Sequence, residues 1–477
     1  MLSQEEVDQN RVRQRAVRLR MNLEPKRDGR KKCRLILQGF REPKAWDHGM
    51  NDSPVAALSS IRSLIFMDGD DDDVVSSVDI NTAFLQSVPY DPDDEPRYVY
   101  YQPHKNAPRK YYQLMGSIYG QRSASLAFYK TLTQWLKSEG FKPGHNEPCL
   151  FVKGDLKVLL WVDDILCRGP MADTDAFYDA LAKRFDIKDP SYLIEGMRLG
   201  FVGFDICMHH SDKGEVVYSM DQSEVIQSFL DDHDVPYSTM VKCPMPDSKM
   251  LHDDDALIDD VRANRTWYRS IIGSLNYYAV STRYDIAHAV SRLSQYSHSP
   301  TESADRALHR VLLYLRSNST LKLEGGKSRG NRLSIYSDSD HAGDRPYTTK
   351  SQTGTMILLN NVPIHWASKK QIDSTAYSSA MAEIYAMSET VRAARLVAWR
   401  CAEMNINASS PLVVQVDNEQ ARVFAEGTCL QSRLRGVVDM RSQWVQELRD
   451  KSLVKVVHIK SELNRADMLT KCLVTKL

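Results

Sequence analysis

The chain has no Cys-x-x-Cys pair. Its eight cysteines are scattered over 477 residues, and none combines with histidine at zinc-finger spacing. This argues against a disulfide framework or a zinc module, and for reduced thiols in a cytosolic or nuclear setting. No segment approaches the ~18 to 20 apolar residues of a membrane span. The N-terminus, Met1-Leu-Ser-Gln-Glu-Glu6, is polar and is not a signal peptide. No short-period repeat is visible. Net charge is also absent, since 62 Lys and Arg balance 62 Asp and Glu.

What is present is unevenly placed. Residues 11 to 44 carry thirteen Lys or Arg and three acidic residues. Acidic residues gather elsewhere, in Asp68-Gly-Asp-Asp-Asp-Asp73 and Asp253-Asp254-Asp255, which read as solvated loops. A basic segment beside acidic sites suits a protein that holds a polyanion and does metal chemistry on it. The length implies two to four domains.

Apolar periodicity outlines the elements. Strands are expected at Lys32 to Phe40, Val74 to Ile80, Tyr98 to Tyr101, Cys149 to Val152 and Val158 to Val162. Helices are expected at Val55 to Phe66, Ser123 to Glu139 and Ala176 to Phe185. A hairpin, Leu199 to Met208 with Glu215 to Met220, precedes helices at 223–233, 266–280, 285–296 and 302–316. Gly325 to Asn331 reads as a polar linker and the best domain boundary. Beyond it come three strands, the helix Ser379 to Met404, the strand Leu412 to Val416, a helix, the strand Leu453 to Ile459 and a terminal helix. That order predicts a mixed sheet with helices on its faces.

The chemistry centres on Trp161-Val-Asp-Asp164, two aspartates between apolar runs. Adjacent carboxylates repel and lose hydration unless a cation compensates. A polar turn is the alternative, since Asp is a common turn residue. Asp79, at the end of a buried strand, would supply a third carboxylate. Three such groups would hold two divalent cations, an arrangement suited to phosphoryl transfer.

Val78-Asp79-Ile-Asn-Thr-Ala-Phe84 resembles the first catalytic motif of reverse transcriptases of copia-type LTR retrotransposons, and Trp161-Val-Asp-Asp164 resembles the second. Ser117-Ile-Tyr-Gly120, Pro148-Cys-Leu-Phe151, Phe201-Val-Gly-Phe-Asp-Ile206 and Tyr268-Arg-Ser-Ile-Ile-Gly273 follow in the same order. The resemblance implies that Asp79, Asp163 and Asp164 bind metal and catalyse polymerisation. It places Phe84 beside the nucleotide sugar, with a core role as the alternative. Lys32 and Arg34 would meet the incoming triphosphate, with template-backbone contact or a solvated basic strand the alternative, and Arg122, the retained basic residue after Gly120, would be a further substrate-binding residue. The chain departs from the family at Ser123, where a Gln is expected to touch the nucleotide.

The C-terminal third repeats the logic. Ser337-Asp338-Ser-Asp340, Ser378-Ser-Ala-Met-Ala-Glu383, Val416-Asp417-Asn418 and Ala466-Asp467-Met-Leu-Thr-Lys471 resemble the ribonuclease H region of copia-type Pol. Asp338, Glu383, Asp417 and Asp467 would be its metal-binding, catalytic acids. Asp340 is expected to be structural, His458 packed or backbone-bonded rather than a proton shuttle, and Trp366 part of the core, with nucleic-acid stacking the alternative.

The expected fold is multidomain, α+β and α/β. A right-hand polymerase has fingers and palm over 1–210 and thumb or connection over 211–326. A ribonuclease H-like mixed-sheet domain covers 327–477. The expected function is RNA-directed DNA polymerisation with fused ribonuclease H. Its cofactor would be Mg²⁺ or Mn²⁺, two per active site. Its partners would be an RNA template, a DNA primer, dNTPs and the RNA–DNA hybrid, without a membrane, in cytoplasmic particles or the nucleus. The chain would be the C-terminal part of such a polyprotein, or a degenerate or separately expressed copy. The alternative is a remnant that binds nucleic acid without polymerising, retaining at most the nuclease.

Overall fold

A computed structural model describes the chain except residues 26–30, 47–48, 50, 71, 238–239, 247–250, 252–254, 259–260, 327–329, 342–349, 372–377, 408–409, 428–439 and 473–477. Asp71, Asp253 and Asp254 of the acidic runs therefore lie outside the described residues. The architecture is multidomain α+β with mixed sheets, in two compact units. One comprises Met1–Ala56 and Asp72–Tyr192, the other Ala57–Asp71 and Leu193–Leu477.

The first unit holds two sheets. Lys31–Leu37, Val17–Pro25, Arg97–Tyr101 and Lys110–Leu114 form a four-stranded sheet in that spatial order. Only its middle pair, Val17–Pro25 with Arg97–Tyr101, is parallel. The second sheet has six strands, ordered Ser191–Tyr192, Asp73–Asp79, Asp164–Pro170, Leu156–Trp161, Leu150–Lys153 and Lys142–Pro143. The run Val158 to Leu160 is buried on both faces, which explains its unbroken apolar character. Helices Ala124–Ser138 and Met171–Arg184 cover this sheet through an aromatic cluster of Phe128, Trp135, Phe141, Phe177 and Phe185. The acidic run 68–73 is not uniformly solvated, because Asp73 pairs with the fully buried Arg168 at 3.6 Å.

The second unit holds the helix Leu58–Phe66 and an antiparallel sheet of Arg198–Phe201, Phe204–His210, Val216–Asp221 and Leu323–Gly326. The single strand expected at 199–208 is broken by a turn at Val202 and Gly203, both with positive φ. Gly325 and Gly326, expected in a linker, form strand instead, and 327–329 lie outside the described residues. Helices Ser223–Asp232, Val261–Ser281, Ala287–Ser294 and Glu302–Ser317 share a core that includes Leu230, Tyr268, Leu275, Leu293, Leu308 and Leu315.

A five-stranded mixed sheet completes the unit, ordered Val362–Lys370, Gln352–Leu359, Leu333–Asp340, Leu412–Val416 and Val454–His458. The first three strands are antiparallel and the last two join in parallel. The long helix Ser379–Glu403 packs on its centre. Two helices, Glu419–Glu426 and Met440–Asp450, stand where one is expected. Where a terminal helix is expected, the described residues form two short 3₁₀ turns, Ser461–Leu463 and Asp467–Leu469. Among the described residues, no helix is long and apolar enough to cross a membrane.

Candidate functional site

The first acidic group is set by strand register. Asp73–Asp79 runs antiparallel to Asp164–Pro170, with Asp79 directly opposite Asp164. Side chains of such partners leave the sheet on the same face, ~5 Å apart at Cβ. Trp161 pairs with Asp164 across the two-residue turn Val162-Asp163. The Ile80 amide donates to the Asp163 carbonyl over 3.0 Å and ties that turn to the neighbouring strand. Val162 adopts φ of 57°, a left-handed conformation that a β-branched residue holds only under constraint.

All three aspartates are half-buried. Burial pushes Asp164 up to about 6, and the charges of Asp163 and Asp79 push the same way. Burial raises Asp163 as well, while Arg34 and Lys188 pull it down. Lys188 forms an ion pair with Asp79, and its amide donates to the Asp79 carbonyl over 2.9 Å.

Arg34 lies over the Tyr119 ring at 5.0 Å, and Tyr119 meets Phe84 edge-on at 5.1 Å. Tyr119 is held because its carbonyl accepts from the Leu37 amide over 2.7 Å. The next residue must be glycine: Gly120 has φ of 83°, and a Cβ there would lie 2.3 Å from the Leu37 carbonyl oxygen. Lys32 shares the half-buried face of Arg34, opposite Glu24 in register. Arg122 is engaged elsewhere. Its guanidinium donates to the Gly39 carbonyl at 2.9 Å and its amide to the Glu42 carboxylate at 2.8 Å. Ser123 accepts from the Gln121 side-chain amide over 3.2 Å.

The second acidic group is tighter. Carboxylate oxygens of Asp338, Glu383 and Asp417 lie within 4.8 Å of one another. Asp338 is near the end of the central strand Leu333–Asp340. Ser378 caps the long helix by accepting from the Met381 amide at 3.3 Å, and Glu383 follows five residues on. Asp417 follows the strand Leu412–Val416, just before Asn418 caps the next helix.

Asp338 is fully buried. It accepts from the Thr470 hydroxyl, and Asn464 Nδ2 stands 3.5 Å away. Glu383 Oε1 accepts from the Ser339 amide at 3.3 Å, but its buried Oε2 has no hydrogen-bond partner. Burial drives Glu383 up to about 9, and the charges of Asp338 and Asp417 add to the rise. Burial raises Asp338 to about 7 against the pull of Lys471. An orphaned buried carboxylate oxygen facing two further carboxylates fits a divalent cation. Asp467 stands at the rim, with Lys471 Nζ 2.9 Å from its Oδ1 and 3.6 Å from Asp338 Oδ2. His458 Nε2 is 3.2 Å from the Asp417 main-chain oxygen, a backbone-bonded arrangement.

Residues 7–246 match the family model for reverse transcriptase (RNA-dependent DNA polymerase). The chain belongs to that family. This reverse transcriptase-family chain is similar to Pol polyproteins of retrotransposons. It is 30% identical over 458 residues to the retrovirus-related Pol polyprotein from transposon RE1 of Arabidopsis thaliana, covering 93% of this chain and 29% of that protein. Its counterpart from transposon RE2 of the same plant is 31% identical, with coverage of 93% and 30%. The Pol polyprotein from transposon TNT 1-94 of Nicotiana tabacum is 29% identical, with coverage of 94% and 34%. The chain thus spans about a third of the length of these relatives. Asp79, Asp163 and Asp164 fall inside the family match, and the second acidic group lies beyond it.

Several residues of both centres escape sequence reading. Tyr119, which links Arg34 to Phe84, sits in the quoted motif Ser117 to Gly120 but has no chemical signature of its own. Lys188 is 109 residues from Asp79, and nothing local points to it. Lys471 had a usable signal, standing four residues after Asp467 in the same motif.

Proposed function

We propose that this chain is an RNA-directed DNA polymerase with a fused ribonuclease H. The observation that carries the reading is one carboxylate group in each compact unit, each including acids at strand ends. Fingers and palm would span 1–210, the thumb or connection 211–326 and the nuclease 327–477.

Asp79, Asp163 and Asp164 would hold two Mg²⁺ or Mn²⁺ ions in the first centre, and Asp338, Glu383, Asp417 and Asp467 two in the second. Bound there, the cations would neutralise phosphate charge and lower the pKa of the attacking hydroxyl or water. The register of Asp79 with Asp164 supports a site where a primer 3′-hydroxyl and a dNTP α-phosphate would meet. Arg34, stacked on Tyr119, is oriented to receive a phosphate by charge-assisted hydrogen bonds, and Lys32 lies on the same face. Phe84, braced by Tyr119, would stand against the nucleotide sugar and exclude a 2′-hydroxyl. Arg122 would act through the Gly39 loop it binds. In the second centre the buried acids would hold the scissile phosphate of the RNA strand of an RNA–DNA hybrid. The basic N-terminal segment would track the template backbone without sequence choice.

A second reading is favoured by the loop at 121–123. Gln121, Arg122 and Ser123 are bonded within their own surroundings, so a remnant retaining only the nuclease is the competing outcome. Primer extension on an RNA template with Mg²⁺ or Mn²⁺ distinguishes them. The wild-type chain should extend the primer, and Asp163→Asn should lower the rate by at least ~10²-fold, the scale of losing preorganised charge stabilisation. Incorporation equal in both proteins, with hybrid cleavage that Asp338→Asn removes, would establish the nuclease-only remnant instead.

A further inference from the structure

The second acidic centre contains a cation that the chain itself supplies. Lys471 Nζ sits between Asp467 Oδ1 at 2.9 Å and Asp338 Oδ2 at 3.6 Å. Asp338 also forms a close group with Glu383 and Asp417, and the buried Glu383 Oε2 has no hydrogen-bond partner. The centre is therefore divided. One half presents three carboxylates, of which, among the described residues, only Asp338 has an ion-pair partner, Lys471. The other half, between Asp338 and the fourth acid, is occupied by an ammonium.

We propose that Lys471 is a positioning residue that holds the second cation place of this centre, so that divalent ions enter in sequence. Asp338, Glu383 and Asp417 would hold a first ion, and Asp467 would help to hold a second only once the Lys471 ammonium swings out. The side chain is free to do so, being 43% exposed on a stem of rotatable bonds. Its anchorage suits a reversible device. Thr470, the preceding residue, is fixed by its hydroxyl on Asp338 and by its amide on the Asp467 carbonyl at 3.1 Å. The backbone is thus pinned by hydrogen bonds, while the ammonium is held, among the described residues, only by its ion pairs with Asp467 and Asp338. The inference rests on the reading of this centre as a metal site.

The test is a Mn²⁺ titration of the full chain by calorimetry, in an Asp163→Asn/Asp164→Asn background that silences the first centre. Unfolding in EDTA is followed in parallel. Wild-type Lys471 should give one tight and one weak Mn²⁺. Lys471→Met should tighten the weak one by about five- to tenfold, the scale of a partly screened charge at this distance. Its unfolding midpoint in EDTA should fall, because the acids lose their counter-charge, and Mn²⁺ should restore it. Lys471→Arg should keep the weak second ion. A purely structural lysine would weaken Mn²⁺ binding or leave it unchanged on substitution, and either result overturns the proposal. Adding Asp338→Asn to the same background separates the two failures. If it abolishes tight Mn²⁺ binding while Lys471→Met does not tighten the second ion, the metal site stands and the lysine role falls. If the background protein binds no Mn²⁺ that Asp338→Asn removes, the metal-site reading falls with it.

Discussion

At the scale of single residues, the buried acids of the second centre make stability depend on pH in a direction opposite to that of most carboxylates. Glu383 has an ordinary value of 4.5, raised to about 9 in the fold mainly by burial. The folded chain keeps this proton at pH values where the unfolded chain has lost it. Stability from this group is complete below about pH 4.5 and is lost as pH rises towards 9. Asp338, raised to about 7, acts in the same sense over a narrower window. In EDTA, the thermal midpoint should therefore decline between pH 5 and 9. Glu383→Gln, which removes the ionisation, should flatten that decline and be more stable than wild type at pH 9. A wild-type midpoint that rises across this range in EDTA would contradict the assignment of buried, unpaired charge. The acids themselves were legible in the sequence, because each follows an apolar run or a helix start within a recognisable motif. Their neighbours were not. Lys188, Asn464 and Thr470 are common residue types, and only folding brings them to Asp79 or Asp338.

At the scale of elements, the second centre depends on how closely the turn 466–470 can lie on the sheet. Gly354 is opposite Asp338 in register. A Cβ at Gly354 would stand 2.7 Å from Thr470 Cγ2 and 2.8 Å from the Ala466 carbonyl oxygen. The second of these is main chain and cannot rotate away, so the turn itself must move. Gly354→Ala should cost about 1–3 kcal/mol, the usual range for overpacking. It should weaken hybrid cleavage more than primer extension, because Thr470, Asp467 and Lys471 ride on the displaced turn. Urea unfolding and the two assays run side by side check both parts. Unchanged cleavage would mean that the turn does not support the centre. Strong apolar periodicity made most elements readable. Leu412–Val416 and the long helix beginning at Ser379 match expectation closely. The strands Val17–Pro25 and Lys110–Leu114 were not anticipated. Val17–Pro25 alternates apolar residues with Arg18, Arg20 and Asn22, a period of two masked by the basic charge of the segment. The break at Val202 and Gly203 was hidden because a glycine inside an apolar run reads equally as strand.

At the scale of the whole molecule, chain order and compact units do not coincide. Helix Leu58–Phe66 was readable from its apolar spacing, but its place in the structure was not. It belongs to the second unit and packs on strand Val362–Lys370. Arg62 forms the joint, with Ile364 standing 302 residues away in sequence. Its guanidinium donates to the carbonyls of Ile364 at 2.8 Å, Ser281 at 2.6 and 3.0 Å, and Val280. It also lies 3.9 Å from the centre of the Trp366 ring, whose indole nitrogen donates to the Ala279 carbonyl at 2.7 Å. Carbonyls at a helix C-terminus have no partner within the helix. One arginine and one tryptophan therefore cap the end of helix Val261–Ser281 and fasten it to the mixed sheet. This also explains Trp366, which is a buried structural residue rather than an exposed stacking platform. Arg62→Met keeps much of the volume but leaves buried carbonyls without donors. It should destabilise the chain by about 3–5 kcal/mol, the scale of breaking a buried charged network. Arg62→Lys should fall between, since an ammonium cannot reach all three carbonyls with the fixed geometry of a guanidinium. Urea unfolding read through loss of hybrid cleavage gives the measurement, because the second acidic centre shares this unit. If Arg62→Met unfolds at the same urea concentration as wild type, the helix is an ornament on the sheet. If it unfolds earlier, residues 57–71 are an integral part of the unit, and a fragment starting at 193 should show the same weakness.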